Sequence, residues 1–210
     1  MREFYVFGSV CRGEPDPGSD VDVLVISDDA SASRELPPAW SLYSSRRLRQ
    51  LFARGTLFAW HLYLESVPVW PRARTHFLKK IGPPAPYGGA RREIADLQKI
   101  LRSAVAELER KTPSVVYELG LIALACRDTA MAASPKLTGR FDFSRHAPLV
   151  LPTARFPLTR RQFDYLLSCR RATTRGGEFF RNIRIEQQVK ARSTALCEWS
   201  ARILDRIAHE

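Results

Sequence analysis

In this chain Gly8-Ser9 directly follows an apolar stretch, and ten residues later comes Asp20-Val21-Asp22, which leads into another apolar run. A glycine at the end of a strand lets the backbone approach a phosphate closely, and the next N–H groups with a serine hydroxyl can hold its oxygens. Two aspartates one residue apart on a strand point to the same face. Placed so close, they repel unless a cation sits between them, and hard Mg2+ prefers such oxygens together with substrate phosphates. A two-metal site of this kind activates an attacking hydroxyl and stabilises a leaving pyrophosphate. Arg12 adds positive charge beside the same turn.

The elements that must position these residues can be read outward from them. Residues 4–7 are aromatic and β-branched and predict a short buried strand ending at Gly8. Pro15, Pro17 and Gly18 mark a loop, and residues 21–26 predict a second strand closed by Asp28-Asp29. Residues 30–39 read as a loop, and 42–53 as an amphipathic helix stopped by Gly55. The stretch 57–64 alternates and predicts a third strand, with Phe58, Trp60, Leu62 and Leu64 on one face. Its other face carries Ala59, His61, Tyr63 and then Glu65. Glu65 is thus the available third carboxylate and His61 the other candidate base.

A short helix is expected over 71–81, followed by a Gly/Pro-rich stretch, 82–89, that separates a first domain (1–82) from a second (83–210). The second reads as a helical bundle. Ile94, Leu97, Leu101, Val105 and Leu108 form one stripe, and Thr112 with Pro113 predicts a helix start running to about Ala133. A loop is expected around 135–157, a helix from Thr159 to about Arg171, a loop at 173–177, and one long C-terminal helix marked by Ile185, Val189, Leu196, Trp199, Ile203 and Ile207. The fold class is therefore α+β, a small mixed β-sheet with helices followed by a C-terminal α-helical bundle.

The residues Phe7-Gly8-Ser9-Val10-Cys11-Arg12-Gly13-Glu14 and Gly18-Ser19-Asp20-Val21-Asp22-Val23-Leu24-Val25 resemble the DNA polymerase β-like nucleotidyltransferase superfamily. The pattern is closest to its minimal and kanamycin-type members and covers roughly residues 4–70. The resemblance implies that Gly8, Ser9, Arg12 and Ser19 bind a nucleoside triphosphate, with ATP the expected one. It implies that Asp20 and Asp22 hold Mg2+, two ions in all. The family places a third Asp or Glu on a later strand as metal ligand and base; this chain offers Glu65 or His61 there. It also shows no counterpart of the helix that family members carry before the first strand, which leaves a shortened start or a more open site.

Composition narrows the remaining choices. With 45% hydrophobic and 26% charged residues the chain is expected to form a packed core. A formal net charge of +11 favours phosphate-bearing or acidic partners, or else simply keeps the protein soluble. Eight arginines between Arg155 and Arg184, interleaved with Phe156, Phe163, Tyr165, Phe179 and Phe180, suit an RNA or an acidic protein; the same aromatics at helical spacing also suit a core. The four cysteines are scattered and make no zinc knuckle or disulfide framework. Without an apolar run of membrane length, a cytoplasmic location is expected.

The function implied is transfer of a nucleoside monophosphate from an NTP to an acceptor hydroxyl, with pyrophosphate released. A protein toxin partner, an RNA end and an aminoglycoside are the acceptors to weigh. The cationic antibiotic fits the basic chain least. The alternative is a nucleotidyltransferase-like binding or antitoxin module with little turnover. Apolar stripes on the bundle helices serve an internal core or a homo-oligomer equally well.

Overall fold

A computed structural model describes residues 2–14, 21–29, 31–69, 76–152, 155–176 and 179–209, and the chain divides into two units, Met1–Gly89 and Ala90–Glu210. The first carries a mixed sheet and the second is helical, which makes an α+β protein.

In the first unit β1 (Arg2–Phe7) pairs antiparallel with β2 (Asp22–Ser27), and Phe7 stands opposite Asp22. On the far side of β2 lies β3 (Ser41–Tyr43), parallel to it, while β4 (Val67–Pro68) runs antiparallel along the other edge of β1. Among the described residues the sheet order is β3-β2-β1-β4. Strand alternation turns Tyr5, Phe7, Leu24 and Ile26 to one face. There they form a buried cluster with Leu48, Leu51, Phe52, Ala59, Leu62 and Leu78 from the helices.

Leu42 does not begin a helix: it lies in β3, and α2 (Ser45–Ala53) starts after Ser44, whose hydroxyl accepts the Arg47 N–H at 3.2 Å. Asp28, just past β2, fixes that start by accepting the Ser45 hydroxyl at 2.6 Å and its N–H at 2.8 Å. These bonds hold the Asp28 carboxyl below its ordinary range.

The predicted third strand over 57–64 is a helix, α3 (Leu57–Glu65). Thr56 caps it by accepting the Ala59 N–H at 3.2 Å. Ahead of the cap, Gly55 adopts φ +56°, and a Cβ there would lie 2.2 Å from the Ala85 carbonyl oxygen. That carbonyl also accepts the Trp60 indole N–H at 3.0 Å, so the 82–89 stretch braces the start of α3. The loop expected over 30–39 contains a single helical turn, α1 (Ala32–Glu35). Of the helix expected over 71–81, α4 (Phe77–Ile81) is described, and residues 71–75 lie outside the described residues. Glu3 secures α4 by accepting the Phe77 N–H at 2.8 Å.

In the second unit α5 (Ala90–Glu109) buries Ile94, Leu101, Val105 and Leu108. Beside it α6 (Val115–Thr138) packs against α5, α7 (Ala147–Val150), α8 (Arg160–Arg175) and α10 (Ser193–His209). Gly120 allows the approach of α8, since a Cβ there would lie 3.0 Å from the Arg170 Cα.

Helix α6 begins after Ser114 rather than at Pro113; Thr112 instead accepts the Ser114 N–H at 3.2 Å in a turn ahead of it. It also runs through Pro135, where a loop was expected. Proline leaves the carbonyl of Met131 without its helical N–H, and the Ser134 hydroxyl donates to that oxygen at 2.9 Å instead. Gly139, at φ +73°, then closes the helix. Thr159 does cap α8, in a reciprocal box with Gln162. The single C-terminal helix expected is two, α9 (Ile183–Lys190) and α10, parted by a turn at Ala191-Arg192. Among the described residues no helix is long and apolar enough to cross a membrane.

Candidate functional site

At the end of β1 the backbone enters a 3-10 turn, Gly8–Val10, with Gly8 at φ +77°. A side chain is rarely found at that φ, and a Cβ on Gly8 would lie 2.5 Å from Asp22 Oδ2, so the carboxylate would have to turn aside. The aspartate therefore leans over the glycine from the first residue of β2. The turn's carbonyls are taken by the N–H groups of Cys11 and Arg12 on Gly8 O, of Gly13 on Val10 O and of Glu14 on Ser9 O. The amides of Ser9 and Val10, at the start of the turn, lie outside this ladder.

Arg12 leaves the same turn and is fixed from two sides. Its Nη1 donates to Glu65 Oε2, and its Nε donates to Glu14 Oε2 at 3.2 Å. His61, one turn earlier on α3, contacts the same Glu65 oxygen through Nε2 at 2.9 Å. The imidazole also packs edge-on against Phe7, with centroids 5.4 Å apart. Phe7 thus joins the two groups, being paired to Asp22 across the ladder and seated against His61 from below. Glu65 is largely enclosed, with its side chain 14% exposed, whereas Asp22 is exposed at the strand end. Nearby, Cys11 donates to the Val6 carbonyl at 3.4 Å; burial, and next the charge of Glu65, push its thiol up.

The residues singled out from the sequence fall as follows. Gly8, Ser9 and Asp22 meet at the ends of β1 and β2, and Arg12, Glu65 and His61 meet beside β1. Ser19 and Asp20 lie outside the described residues. Because α3 is a helix, His61 and Glu65 share a face as i and i+4, and Tyr63 turns away to pack on Trp60 at 5.9 Å. Sequence reasoning missed Glu14, the second partner of Arg12, and Phe7, the seat of His61. The Arg12-Gly13-Glu14 spacing was the signal for the first; the second had none, because it depends on α3 being helical.

For a divalent cation, the fitting donor is the exposed carboxylate of Asp22, a hard oxygen held next to a turn that can take phosphate. Among the described residues no group of three His, Cys, Asp or Glu stands close enough to hold a metal. Glu65 is engaged by a guanidinium and an imidazole, a poorer setting for a cation. A concavity of about 510 Å³ along α2, lined by Ser45, Arg46, Arg49, Gln50 and Ala53, includes none of these residues.

Residues 2–67 match the family model described as nucleotidyltransferase domain. No curated protein matches the chain.

Proposed function

We propose, from the match of residues 2–67 to the nucleotidyltransferase domain model, that this unit transfers a nucleoside monophosphate from an NTP, ATP first among them, to an acceptor hydroxyl in a Mg2+-dependent reaction. The observation that carries the reading is the seat of the Asp22 carboxylate over the side-chain-free Gly8 turn, which brings a cation-binding group and a phosphate-binding backbone together. Asp22, with Asp20, holds the metal; when bound, Mg2+ supplies charge neutralisation for the triphosphate and the departing pyrophosphate.

The chain's own residues do the rest. Ser9 and the amides that open the turn bind phosphate oxygens, with Ser19 as a further ligand. Arg12, clamped by Glu65 and Glu14, presents its remaining guanidinium face to the triphosphate charge. An oxygen of the acceptor hydroxyl bonds to the α-phosphorus, the bond to the β-phosphate oxygen breaks, and pyrophosphate leaves with that electron pair. The hydroxyl proton passes to a carboxylate of the site; Glu65, engaged by Arg12 and His61, is assigned a positioning role.

The acceptor belongs to a protein, such as a toxin partner, to an RNA end, or to a small molecule. The net charge of +11 favours the first two over a cationic antibiotic. The test is transfer of α-labelled NTP with Mg2+, offering RNA, aminoglycosides and host proteins in parallel. Labelling of one acceptor class that disappears in Asp22→Asn supports the reading. Mg2+-dependent NTP binding with no labelling of any class would instead favour the binding-module alternative.

A further inference from the structure

The positive charge is unevenly spread: Ala90–Glu210 holds 22 lysines and arginines against 13 acidic residues. Much of this surplus lies on α8, α9 and the segment that joins them. Helix α8 opens with Arg160-Arg161 and has no acidic residue in its first turn, so two cations stand at the positive end of its dipole. Helix α9 carries Arg184 in its own first turn together with Glu186, whose carboxylate is taken by Arg181. An anion at the start of α8 would offset the repulsion between its two arginines and the helix dipole.

The two helix starts open onto one cavity of about 210 Å³, lined among others by Thr159, Arg161, Gln162, Asn182, Arg184 and Gln188. Each of its side-chain acceptor oxygens already takes a hydrogen bond. The Thr159 hydroxyl accepts the Gln162 N–H at 3.3 Å, and Gln162 Oε1 accepts the Thr159 N–H at 2.9 Å. Gln188 Oε1 accepts from Gln162 at 3.1 Å, and Asn182 Oδ1 from the Ile185 N–H at 3.1 Å. What the cavity offers a ligand is therefore weighted towards donors and positive charge.

Two residues before Asn182, Phe180 is 85% exposed, and Ile183 beyond it is 52% exposed. A phenylalanine so exposed contributes little to this unit's core. Its neighbour Phe179 instead packs on Tyr165, with centroids 5.8 Å apart. Arg181 beside it is locked to Glu186 through two bonds of 3.0 and 2.7 Å, which keeps the backbone that carries Phe180 in place. An exposed aromatic two residues along the chain from the Asn182 that lines a donor-rich basic cavity offers a single strand a surface to stack a base and a seat for a phosphate.

We infer that the second unit binds single-stranded nucleic acid, with a base stacked on Phe180 and a backbone phosphate held by Arg161 and Arg184. This goes beyond nucleotidyl transfer and does not depend on it, because none of these residues belongs to the site around Gly8.

The experiment is fluorescence anisotropy of a short fluorescein-labelled oligouridylate with the full-length protein over a series of salt concentrations. Affinity is expected to fall with salt, and Phe180→Ala to weaken it about tenfold at fixed salt. Replacing both arginines, Arg161→Ala with Arg184→Ala, is expected to flatten the slope of log K against log salt by about 0.7, the share of the one phosphate they hold. Phe180 is exposed, so its variant should melt as the wild type does, which separates lost binding from lost fold. Asp22→Asn should bind the strand normally. Absence of binding at low salt would overturn the inference, as would binding indifferent to Phe180→Ala. So would displacement by poly-glutamate as readily as by unlabelled strand, which would mark an acidic-protein surface instead.

Discussion

The Asp22 carboxylate occupies the space that a side chain on Gly8 would take, 2.5 Å from where its Cβ would stand. A Cβ at this position would push the Asp22 carboxylate aside, and the φ of +77° itself favours glycine. Gly8→Ala should destabilise the protein by roughly 1–3 kcal/mol and abolish transfer. Adding Asp22→Ala should restore part of that stability, because the clash is then gone and only the backbone strain persists. A denaturation double-mutant cycle measures this; strictly additive losses would mean that the two residues do not press on each other.

Arg12, Glu65 and His61 set up a different kind of test. A carboxylate that serves to orient Arg12 affects how NTP is bound, whereas a general base affects the chemical step. Glu65→Gln is expected to raise the KM for NTP about tenfold and leave kcat within about threefold, and Arg12→Ala should behave alike. The combined variant should be little worse than either, since both act through one contact. Loss of kcat by about 100-fold or more, with KM unchanged, would return Glu65 to the role of base.

Much of the site is legible in the sequence, for a physical reason. The Gly8-Ser9 turn and the Asp22 strand are local features, set by φ, by β-branching and by an alternation that holds whatever surrounds them. The arrangement of Glu65 and His61 is harder to read because residues 57–65 are apolar nearly all round. An alternating pattern and a helical one then fit equally well. The arbiter is punctuation, Gly55 followed by the Thr56 cap, and the bracing carbonyl of Ala85 lies 29 positions after Thr56. Helix α6 misleads in the opposite sense. Pro135 normally ends a helix, and only the adjacent Ser134 hydroxyl on the Met131 carbonyl shows why it does not. The break between α9 and α10 has neither glycine nor proline to announce it.

Ser134 therefore has a measurable task. Its hydroxyl donates to Met131 O at 2.9 Å and accepts the Asp142 N–H at 3.0 Å, and the residue is 1% exposed. Ser134→Ala removes both bonds from a partly buried setting and should cost about 1–3 kcal/mol. Pairing it with Pro135→Ala, which returns an N–H to the Met131 carbonyl, should recover about half of that loss. Urea unfolding checks both, and a silent Ser134→Ala would show that the helix tolerates Pro135 by other means.

Acid should loosen the second unit through Glu186. This buried carboxylate accepts two bonds from Arg181 and one from the Tyr165 hydroxyl at 2.7 Å. The Arg181 bonds, and after them the Tyr165 bond, outweigh burial and hold Glu186 below its ordinary value of 4.5. Because the folded value lies below the unfolded one, the stabilisation is present in full above about 4.5 and is lost as pH falls through the folded value. Glu186→Gln keeps the shape, loses the charge, and should cost about 1–3 kcal/mol at neutral pH. Urea melts at about pH 6 and about pH 3 should then show the gap between wild type and variant closing at the acid end. A gap that stays constant over this range would mean that the Arg181–Glu186 pair contributes through shape alone.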